Sequence, residues 1–443
     1  MVNADILIVG AGIAGNALAF WLSKLGNRVT VIERYPTLRV NGLQLDLRGH
    51  GIEVIKRMGL EQAIRAKCVP EEGIELVDSA GRRWAFFAAN RSGNGAQSFS
   101  SEFEIMRGDL CQVLYDAAMT KGAKYRFAMS IKAFMEDGDG IHVQFTDGEL
   151  ESFDLVVGCD GQGSAVRKLM LNGGSVDGKV KDSVLTTLPE RIAYFTIPQQ
   201  IEEGEGYVAS ACVMPGGKLL MLRRHREDEM QVYLRAETSS GSGQLRNVKR
   251  GDVKSEKEAF ADLFQGGGWH SDKVVKILKE GADDFYCQYS GFVKMDRWSR
   301  GRVTLVGDAG YCCPPNGLGT SVALLGAYVL AGEIGQHCYG QERTAAGTVK
   351  RARSVNDNGD TVLAALGAYE GAFQPYVKKI QMRYSSDPSW SDKIPWNPFV
   401  IGLFYHVMWV ASALRLDRIA SRLMPSEGMR WWKLPSYECM VQD

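Results

Sequence analysis

The glycines and the acidic residue near the N-terminus have the types and spacing of a dinucleotide site. Gly10, Gly12 and Gly15 form a GxGxxG pattern directly after the apolar run 6–9, and Glu33 closes a second apolar run. In a strand–helix–strand unit, such glycines let the backbone approach a pyrophosphate at a helix N-terminus, and an acid about 20 residues on accepts hydrogen bonds from ribose hydroxyls. The pattern predicts FAD or NAD at this site, because the charge of Glu33 would repel the 2′-phosphate of NADP.

Two further apolar runs each end in an aspartate beside a glycine. The segment FDLVVGCDGQGSAVRK carries Asp160 and Gly161 after one run, and GRVTLVGDAGYCCPP carries Gly307 and Asp308 after the other. Open α/β sheets bind ligands at such strand ends, so both aspartates are candidates for cofactor contact. Taken singly, each also fits an ordinary turn capped by its carboxylate.

The residues after the second aspartate suit a helix N-terminus that faces a ligand. Pro314 and Pro315 delay the start of a helix, and Gly317 and Gly319 let the backbone come close to a neighbouring group. A helix that begins at Thr320 would then direct free N–H groups toward that group.

Together these three motifs resemble those of the class A flavin monooxygenases, which share the fold of para-hydroxybenzoate hydroxylase. Within that family the chain is most similar to the branch of tetracycline-inactivating monooxygenases and aromatic polyketide hydroxylases, through the segments NGLQLDLRGHG and IMRGDL. The resemblance implies FAD contacts at Asp46 and Arg107, a contact to the flavin ribityl chain at Asp308, and nicotinamide-cofactor binding at Arg39. It also assigns both FAD and NADPH use to the Asp160 motif.

The cofactor-binding residues expected from motif and resemblance together are spread over the first three-quarters of the chain. They are Gly10, Gly12, Ala14, Gly15, Glu33, Arg34, Arg39, Asp46, Arg107, Asp160, Gly161, Gly307, Asp308, Pro315, Gly317, Leu318 and Gly319. The helix N-terminus after the last of them would hold the negative charge that a reduced flavin carries on its pyrimidine edge.

The resemblance implies a reaction as well as a cofactor. NADPH or NADH would bind transiently and give a hydride to FAD, and the reduced flavin would react with O2 to form a C4a-hydroperoxide. One oxygen atom would pass to an electron-rich carbon of an aromatic or polyketide-like small molecule, and the other would leave as water. The sequence identifies no side-chain base. Tyr194, Met221 and Arg223 are candidate substrate contacts on a predicted sheet, and each also fits sheet packing or a solvent-facing position.

Two other functions stay open at this stage. An epoxidase of an isoprenoid or meroterpenoid would use the same oxygen transfer, and a flavin-dependent sensor or binding protein would be reduced without oxygenating anything. A flavin halogenase is disfavoured, because the chain lacks the WxWxIP signature of that class.

The predicted fold is α/β (α+β), with a discontinuous Rossmann-like FAD-binding domain, a β-sheet substrate domain and a C-terminal helical segment. The runs ERIAYFTIP, GYVASACVM, GKLLMLRRH and MQVYLRAE alternate apolar and polar residues, as a half-exposed sheet does. The predicted domains are residues 1–75, 102–180 and 281–345 for FAD, 76–101 and 181–280 for the substrate sheet, and 346–443 for the helical segment.

Composition disfavours several classes of partner. Lys+Arg and Asp+Glu are both 52, which gives a formal net charge of zero and no basic surface of the kind that nucleic-acid binders carry. No cluster of His, Cys and carboxylate has metal-ligand spacing, so no metal site is predicted. The nine scattered cysteines and an N-terminus without a signal-peptide pattern predict a cytoplasmic protein. The sequence does not choose between a monomer and a dimer.

One C-terminal segment has the composition of a membrane-contacting helix. Residues 398–414, PFVIGLFYHVMWVASAL, carry no charge, but they are fewer than the roughly 20 apolar residues that span a bilayer. The segment fits a helix packed on the protein, and it also fits peripheral attachment to a membrane surface. The packed helix is the favoured prediction.

Overall fold

A computed structural model describes residues 4–39, 42–90, 102–137, 140–173, 184–238, 244–314, 317–339, 341–343, 349–351, 360–382, 394–416 and 431–441. Its strands are β1 (Asp5–Val9), β2 (Arg28–Glu33), β3 (Gln44–Asp46), β4 (Gly73–Val77), β5 (Arg83–Ala88), β6 (Glu104–Met106), β7 (Lys124–Phe127), β8 (Ile131–Glu136), β9 (Ile141–Phe145), β10 (Leu150–Phe153), β11 (Leu155–Gly158), β12 (Leu185–Pro198), β13 (Val208–Met214), β14 (Lys218–Arg224), β15 (Glu229–Glu237), β16 (Tyr286–Val293), β17 (Ser299–Arg300), β18 (Val303–Leu305), β19 (Gln341–Arg343) and β20 (Val349–Arg351). Its helices are α1 (Ile13–Lys24), α2 (His50–Arg57), α3 (Glu61–Arg65), α4 (Arg107–Thr120), α5 (Ala165–Leu171), α6 (Gln244–Asn247), α7 (Val253–Phe264), α8 (Ser271–Glu280), α9 (Asp308–Tyr311), α10 (Gly319–Tyr339), α11 (Asp360–Gln381), α12 (Pro398–Ala413) and α13 (Glu438–Val441).

The first sheet has the strand order β17–β18–β11–β1–β2–β7, and its neighbours are parallel except for β17 and β18. Residues 6–9 of β1 are all buried, as expected for a central parallel strand covered by helices. Helix α1 packs against α4 and α10. Because parallel strands place their carboxyl ends at one edge, the loops after β1, β2, β11 and β18 meet there. The sheet therefore has the predicted α/β, Rossmann-like arrangement.

The second sheet has the order β16–β12–β15–β14–β13–β4–β5 and is antiparallel except for the pair β13 and β4. One face packs on α7 and α8 around Phe260 and Phe264. Alternate residues of a strand face opposite sides, so Leu220 and Leu222 of β14 pack on these helices while Met221 faces the other way. This second face is the one that carries the candidate substrate contacts.

Two strands of the second sheet cross the predicted domain limits. β4 pairs with β13 and β16 pairs with β12, although the sequence predicts that 1–75 and 281–345 belong with the first sheet. The pairing partner decides which sheet a strand joins, and a local sequence pattern does not specify that partner. The antiparallel pair β3–β6 and the three-stranded sheet β10–β9–β8 complete the structure around the first sheet.

Helix α12 packs on the second sheet through its inner face. Ile401 and Tyr405 are buried there, and the Tyr405 hydroxyl donates to the Val77 carbonyl at 2.6 Å and accepts from the Val213 amide at 3.0 Å. Residues 398–413 are thus the packed helix that the sequence favours. Within the described ranges, no helix combines the length and the apolar character needed to cross a membrane.

An aromatic cluster joins α11 to the turn after β18. The ring of Trp298 lies 4.4 Å from that of Tyr311 and 5.4 Å from that of Tyr369. The hydroxyls of Tyr311 and Tyr369 are 2.9 Å apart, and Tyr369 donates to the Leu305 carbonyl at 3.1 Å. Because these rings are fully buried, the cluster fixes the turn that carries Asp308.

Gly326 of α10 faces this cluster and allows a stability prediction. A Cβ at Gly326 would lie 1.8 Å from the Tyr311 hydroxyl oxygen, whereas nothing lies within 4 Å of a Cβ at Gly371 of α11. We expect Gly326→Ala to lower the free energy of unfolding by about 1–3 kcal/mol through overpacking. We expect Gly371→Ala to raise it by up to about 1 kcal/mol through helix propensity. Urea titration followed by circular dichroism measures both, and equal effects of the two substitutions would contradict this packing.

Candidate cofactor and substrate site

The three glycines after β1 have different surroundings. A Cβ at Gly10, where φ is +107°, would lie 2.7 Å from the carbonyl oxygen of Cys159, and a Cβ at Gly15 would lie 1.9 Å from the carbonyl oxygen of Gly10. A Cβ at Gly12 would meet only the Nη2 atom of Arg107, at 3.8 Å. The first and third glycines therefore close the turn, while the second faces open space in front of a guanidinium. This is a cradle in which a pyrophosphate fits.

The N-terminus of α1 points its backbone N–H groups toward the same space. Gly12 is the N-cap residue, and no side chain caps the helix. Ala14, the second residue of α1, packs beside Gly307 of the turn after β18, where a Cβ on the glycine would approach the Ala14 Cβ to 3.0 Å. An uncapped helix N-terminus attracts negative charge, as a pyrophosphate would supply.

Glu33 lies beside the glycine loop at the carboxyl end of β2. Its Oε2 atom accepts from the Ala11 amide at 2.9 Å, and its Oε1 atom accepts from the Tyr35 amide at 3.1 Å. The carboxylate thus shapes the loop and lies where the sequence predicts the ribose acceptor. Arg34 is exposed, and its guanidinium lies 5.0 Å from the centroid of the Tyr35 ring.

Asp160 uses its carboxylate within its own turn. Oδ1 accepts from the Ser164 hydroxyl at 2.5 Å, and Oδ2 accepts from the amides of Ala165 and Val166 at 2.6 and 3.2 Å. The aspartate therefore caps the start of α5, the alternative that the sequence left open. The next residue, Gly161, has open space around it. The cofactor role of this motif stays a prediction.

Asp308 lies across the glycine cradle, at the carboxyl end of the first sheet. Asp308 is an exposed residue of this turn. Burial of its carboxyl group against the surrounding protein raises its pKa, and this effect outweighs a hydrogen bond from Cys312 and the positive charges of Arg107 and Arg167, which lower it. Arg167 is fully buried and holds the turn in place, since its Nη1 atom donates to the Ala309 carbonyl at 2.6 Å. The geometry places an exposed carboxyl group near Arg107, where a polyol chain could donate to it.

A second set of predicted residues lies where α10 begins. A Cβ at Gly317, where φ is +75°, would lie 3.8 Å from Oδ2 of Asp46, and the Arg48 amide donates to the Ser321 hydroxyl at 3.0 Å. Gly319 has open space around it, and Leu318 is partly buried against the first core. The structure therefore brings Asp46 to the start of α10, and its contact with FAD stays a prediction. Pro315 lies outside the described residues.

Arg39 links the two halves of the site. Its carbonyl accepts from Arg107 Nη1 at 3.2 Å, which ties it to the cofactor cradle. Its guanidinium lies 4.4 Å from the ring centroid of Tyr286 in β16, a cation–π distance. Arg39 thus stands between the glycine loop and the second sheet.

The three candidate substrate contacts lie on one face of the second sheet. Tyr194 is opposite Tyr233, with ring centroids 4.9 Å apart, and Tyr233 is opposite Met221 on the next strand. Burial, with the neighbouring Tyr233 and Glu190, holds the pKa of Tyr194 well above its ordinary value, so it remains a neutral phenol. Arg223 lies on the same face but is engaged by carboxylates, 2.9 Å from the side chain of Glu104.

Several residues of the site are absent from the sequence-based prediction. Glu104 is fully buried in the run 103–105, and Glu71 and Tyr233 are also buried. A charged residue inside a run that is otherwise apolar was the available signal for Glu104. In the described part of the chain, no group of His, Cys, Asp and Glu could hold a metal ion.

Comparisons with known proteins agree with this arrangement. The model of a family described as an FAD binding domain matches residues 3–198. Over the full length of both chains, the protein is 42% identical to FAD-dependent monooxygenase asL4 of Sarocladium schorii. The chain belongs to the FAD-dependent monooxygenases. The monooxygenase is also 36% identical to flavin-dependent monooxygenase eupH of a Phoma species, over 99% of this chain and 98% of that one.

Solved structures extend the comparison to the fold. Tetracycline destructase Tet(55) is 26% identical, has a TM-score of 0.71, and is matched over 98% of the monooxygenase and 99% of its own chain. The predicted resemblance to class A flavin monooxygenases, including the tetracycline-inactivating branch, is therefore confirmed, and so is the predicted fold class. The cofactor of the monooxygenase is FAD, and the cradle around Gly12 fits it.

The surroundings of the glycines predict separate effects of two substitutions. Gly12→Val adds a side chain in front of Arg107 at a backbone φ of −81°, which valine adopts freely, so we expect a folded protein that has lost FAD. Gly15→Ala forces a Cβ onto the Gly10 carbonyl, so we expect loss of folding. Flavin absorbance per protein and circular dichroism measure the two effects. Full retention of FAD by Gly12→Val would contradict the assignment of the pyrophosphate to this loop.

Proposed function

We propose that this FAD-dependent monooxygenase uses NADPH or NADH and O2 to hydroxylate an aromatic or polyketide-like small molecule. The observation that carries the proposal is that Gly12, Arg107 and Asp308 face one space, and that the aromatic face of the second sheet lies beyond Arg39. The first group suits a dinucleotide, and the second suits a flat, electron-rich substrate.

Each part of the cradle has a task when FAD is bound. FAD would supply the hydride acceptance and the oxygen transfer, including the C4a-hydroperoxide route that the resemblance implies. Gly12 and Arg107 would hold the pyrophosphate, Glu33 a ribose, and Asp308 the ribityl chain. The free N–H groups at the start of α10 would stabilise negative charge on the reduced ring.

Arg39 supports a place for the nicotinamide cofactor. It is a partly buried cation at the junction of the cradle and β16, and no carboxylate among the described residues forms an ion pair with it, so its guanidinium can meet a phosphate. We assign NADPH or NADH a transient position there.

The chemistry of the second sheet favours an aromatic substrate. Tyr286, Tyr194 and Tyr233 follow one another across three strands, and Met221 continues the row. Aromatic rings and a thioether make favourable contacts with a planar ring system. The similarity to a tetracycline destructase agrees with a polyketide-like substrate. Epoxidation of an isoprenoid or meroterpenoid, and a sensor without oxygenation, are the alternatives that the next experiment separates.

The decisive experiment is a stopped-flow study of the FAD-loaded protein. Anaerobic reduction is followed with NADPH or NADH, then the reduced protein is mixed with O2, with and without phenols, aromatic polyketides and isoprenoids. We expect one substrate to accelerate flavin reduction and to leave as a hydroxylated product, after a transient absorbance distinct from oxidised and reduced flavin. An epoxide product would establish the alternative reaction. Reoxidation to peroxide without product in every case would favour the sensor.

The same instrument tests Arg39. We expect Arg39→Ala to raise the apparent Kd for NADPH or NADH in the reduction phase by about tenfold while the FAD content stays unchanged, since one phosphate contact is lost. Arg28→Ala is the matched control, because Arg28 is an exposed arginine at the other end of β2 from Glu33. Equal effects of the two variants, or no effect of either, would contradict the assignment of nicotinamide-cofactor binding to Arg39.

We also propose that the outer face of α12 contacts an anionic lipid surface, and that the protein is otherwise cytoplasmic. Phe399, Leu403, Val410 and Leu414 follow helical spacing on this face and are 81%, 58%, 44% and 60% exposed. No charged residue lies within the helix. Two arginines border the face: Arg415 follows it, and Arg82, which also pairs with Asp78 at 3.1 Å, lies 4.4 Å from the ring of Trp84, which contacts His406 at 4.7 Å. An apolar face with a basic border suits anionic headgroups.

Co-sedimentation with vesicles tests this contact. We expect wild-type protein to bind vesicles that contain phosphatidylserine, and the double variant Phe399→Ser with Leu403→Ser to bind at least tenfold more weakly. Leu363→Ser is the control, because Leu363 is a 45% exposed leucine on α11. Absence of wild-type binding would end the proposal. A dimer that the double variant dissociates would instead make this face an interface between two copies.

A further inference from the structure

A buried ion-pair network joins the second sheet to the β3–β6 pair next to the candidate flavin site. Arg223 of β14 donates from Nη2 to Oε1 of Glu71 at 2.9 Å, and the same nitrogen lies 2.9 Å from Oε2 of Glu104 in β6. The two glutamates are 3% and 0% exposed. Because β14 belongs to the second sheet and β6 pairs with β3 beside the cradle, this arginine connects substrate and cofactor sides.

Gln44 and Tyr233 complete the connection. The Gln44 amide nitrogen Nε2 donates to Glu71 at 3.1 Å and to Glu104 at 3.3 Å. The backbone N–H of Gln44 donates to the Tyr233 hydroxyl at 3.1 Å, across a separation of 189 residues. Strand β3 is therefore held to the second sheet directly by the backbone of Gln44, and indirectly by its side chain through Glu71 and Arg223.

The charges of this network require a proton. Asp46 lies opposite Glu104 in the β3–β6 pair and is hydrogen-bonded to it, and Asp46 also pairs with Arg48 at 2.7 Å. Asp46, Glu71 and Glu104 are three carboxyl groups, whereas Arg48 and Arg223 supply two positive charges. Adjacent buried carboxylates cannot both ionise cheaply, so one of the pair Asp46–Glu104 keeps a proton.

The surroundings place that proton on Glu104. Burial raises the pKa of Glu104 to about 9 against the charge of Arg223, and the neighbouring carboxyls of Asp46 and Glu71 add to the rise. Burial also acts on Asp46, but the hydrogen bond from Glu104 and the charges of Arg48 and Arg223 outweigh it and lower the pKa of Asp46. The pair is thus an acid on β6 that donates to a carboxylate on β3.

We propose that Glu104 is a positioning residue for the flavin: as a neutral acid it donates to Asp46 and, with Arg223, locks the flavin-facing strand β3 to the substrate sheet. The proposal rests on the proposed function, because Asp46 is expected to contact FAD. The consequence reaches α10, since Gly317 lies against Asp46 and the Arg48 amide is bonded to Ser321. A shift of β3 would therefore move the start of α10, where the flavin ring is expected to lie, relative to the second sheet.

At high pH we expect the Glu104 carboxyl group to lose its proton. The raised pKa means that the stabilising contribution of Glu104 is complete below its ordinary value of 4.5 and is lost as pH rises through about 9. The charged groups and carboxyls that face Glu104 are Arg223, Asp46 and Glu71. Tyr233 and Cys68 also face it, and burial raises the pKa of both, that of Cys68 to about 11. Neither therefore ionises before Glu104.

Three variants of the FAD-loaded protein test the assignment by FAD affinity and by the visible spectrum of bound flavin. Glu104→Gln keeps a neutral donor and cannot ionise, so we expect an FAD Kd within about twofold of wild type at pH 7 and no change up to pH 9.5. Wild type should lose affinity about threefold or more over that range and change its flavin spectrum. Glu104→Ala, which lacks the donor, should raise the Kd about tenfold at pH 7.

Glu256→Gln is the matched control, because Glu256 is another buried glutamate but accepts from the Tyr289 hydroxyl at 2.6 Å rather than facing Asp46, so this variant should keep the pH step. The proposal fails if Glu104→Gln retains the wild-type step, or if it binds FAD as weakly as Glu104→Ala. Infrared difference spectra of a protonated carboxyl give a second reading that does not require the alanine variant to fold: the band should be present in wild type and Glu256→Gln and absent in Glu104→Gln. A wild-type protein that bound no FAD would instead overturn the proposed function and leave the infrared result intact.

Discussion

The close packing of the glycine loop against the ends of β2 and β11 is the constraint on which the cofactor site depends. The Gly10 amide donates to the Ile32 carbonyl at 2.8 Å, and the Cys159 carbonyl leaves no room for a Cβ at Gly10. Gly15 brings α1 down onto the same loop, so the uncapped N-terminus of the helix opens onto the edge of the first sheet. Every other cofactor residue is useful only because this edge is held in one place. A wider turn would separate α1 from β11 and disperse the groups around the cradle.

Polar groups next to the cradle fix the second sheet to the β3–β6 pair, although the two large sheets have separate apolar cores. Burial of Arg223 with two glutamates is a costly way to gain stability, because desolvation offsets much of the ionic attraction. It is an effective way to fix geometry, since a buried ion pair tolerates few alternative arrangements. Oxygen transfer depends on the distance between the flavin and the reacting carbon, and a displacement of about 1 Å can cost 100-fold in rate. The network therefore lies where geometry matters most.

The sequence predicted the parts of this site that are encoded within short segments. The glycine pattern, Glu33 and the strand-end Asp308 follow from residue order alone, because one strand and its loop carry both the fold signal and the chemistry. Long-range partners were not predictable: Tyr233 meets Gln44 across 189 residues, and β16 joins the second sheet. Apolar periodicity shows which face of a strand is buried but not which other face it meets. The capping role of the Asp160 carboxylate was one of two local interpretations, and only the positions of Ser164 and the α5 amides show it.

In the proposed function, the arrangement of the second sheet separates substrate choice from cofactor chemistry. Its inner face forms one cross-strand row that begins with aromatic rings near Arg39, continues through Met221, and ends at Ala211 and Leu76 under α12. Each position of the row belongs to a different strand, so a substitution changes the shape of one place without moving the loops of the first sheet. Relatives named as a tetracycline destructase and as fungal monooxygenases share the fold with this chain. A fixed cradle opposite a row of independent side chains gives a physical reason why one flavin scaffold can serve different small molecules.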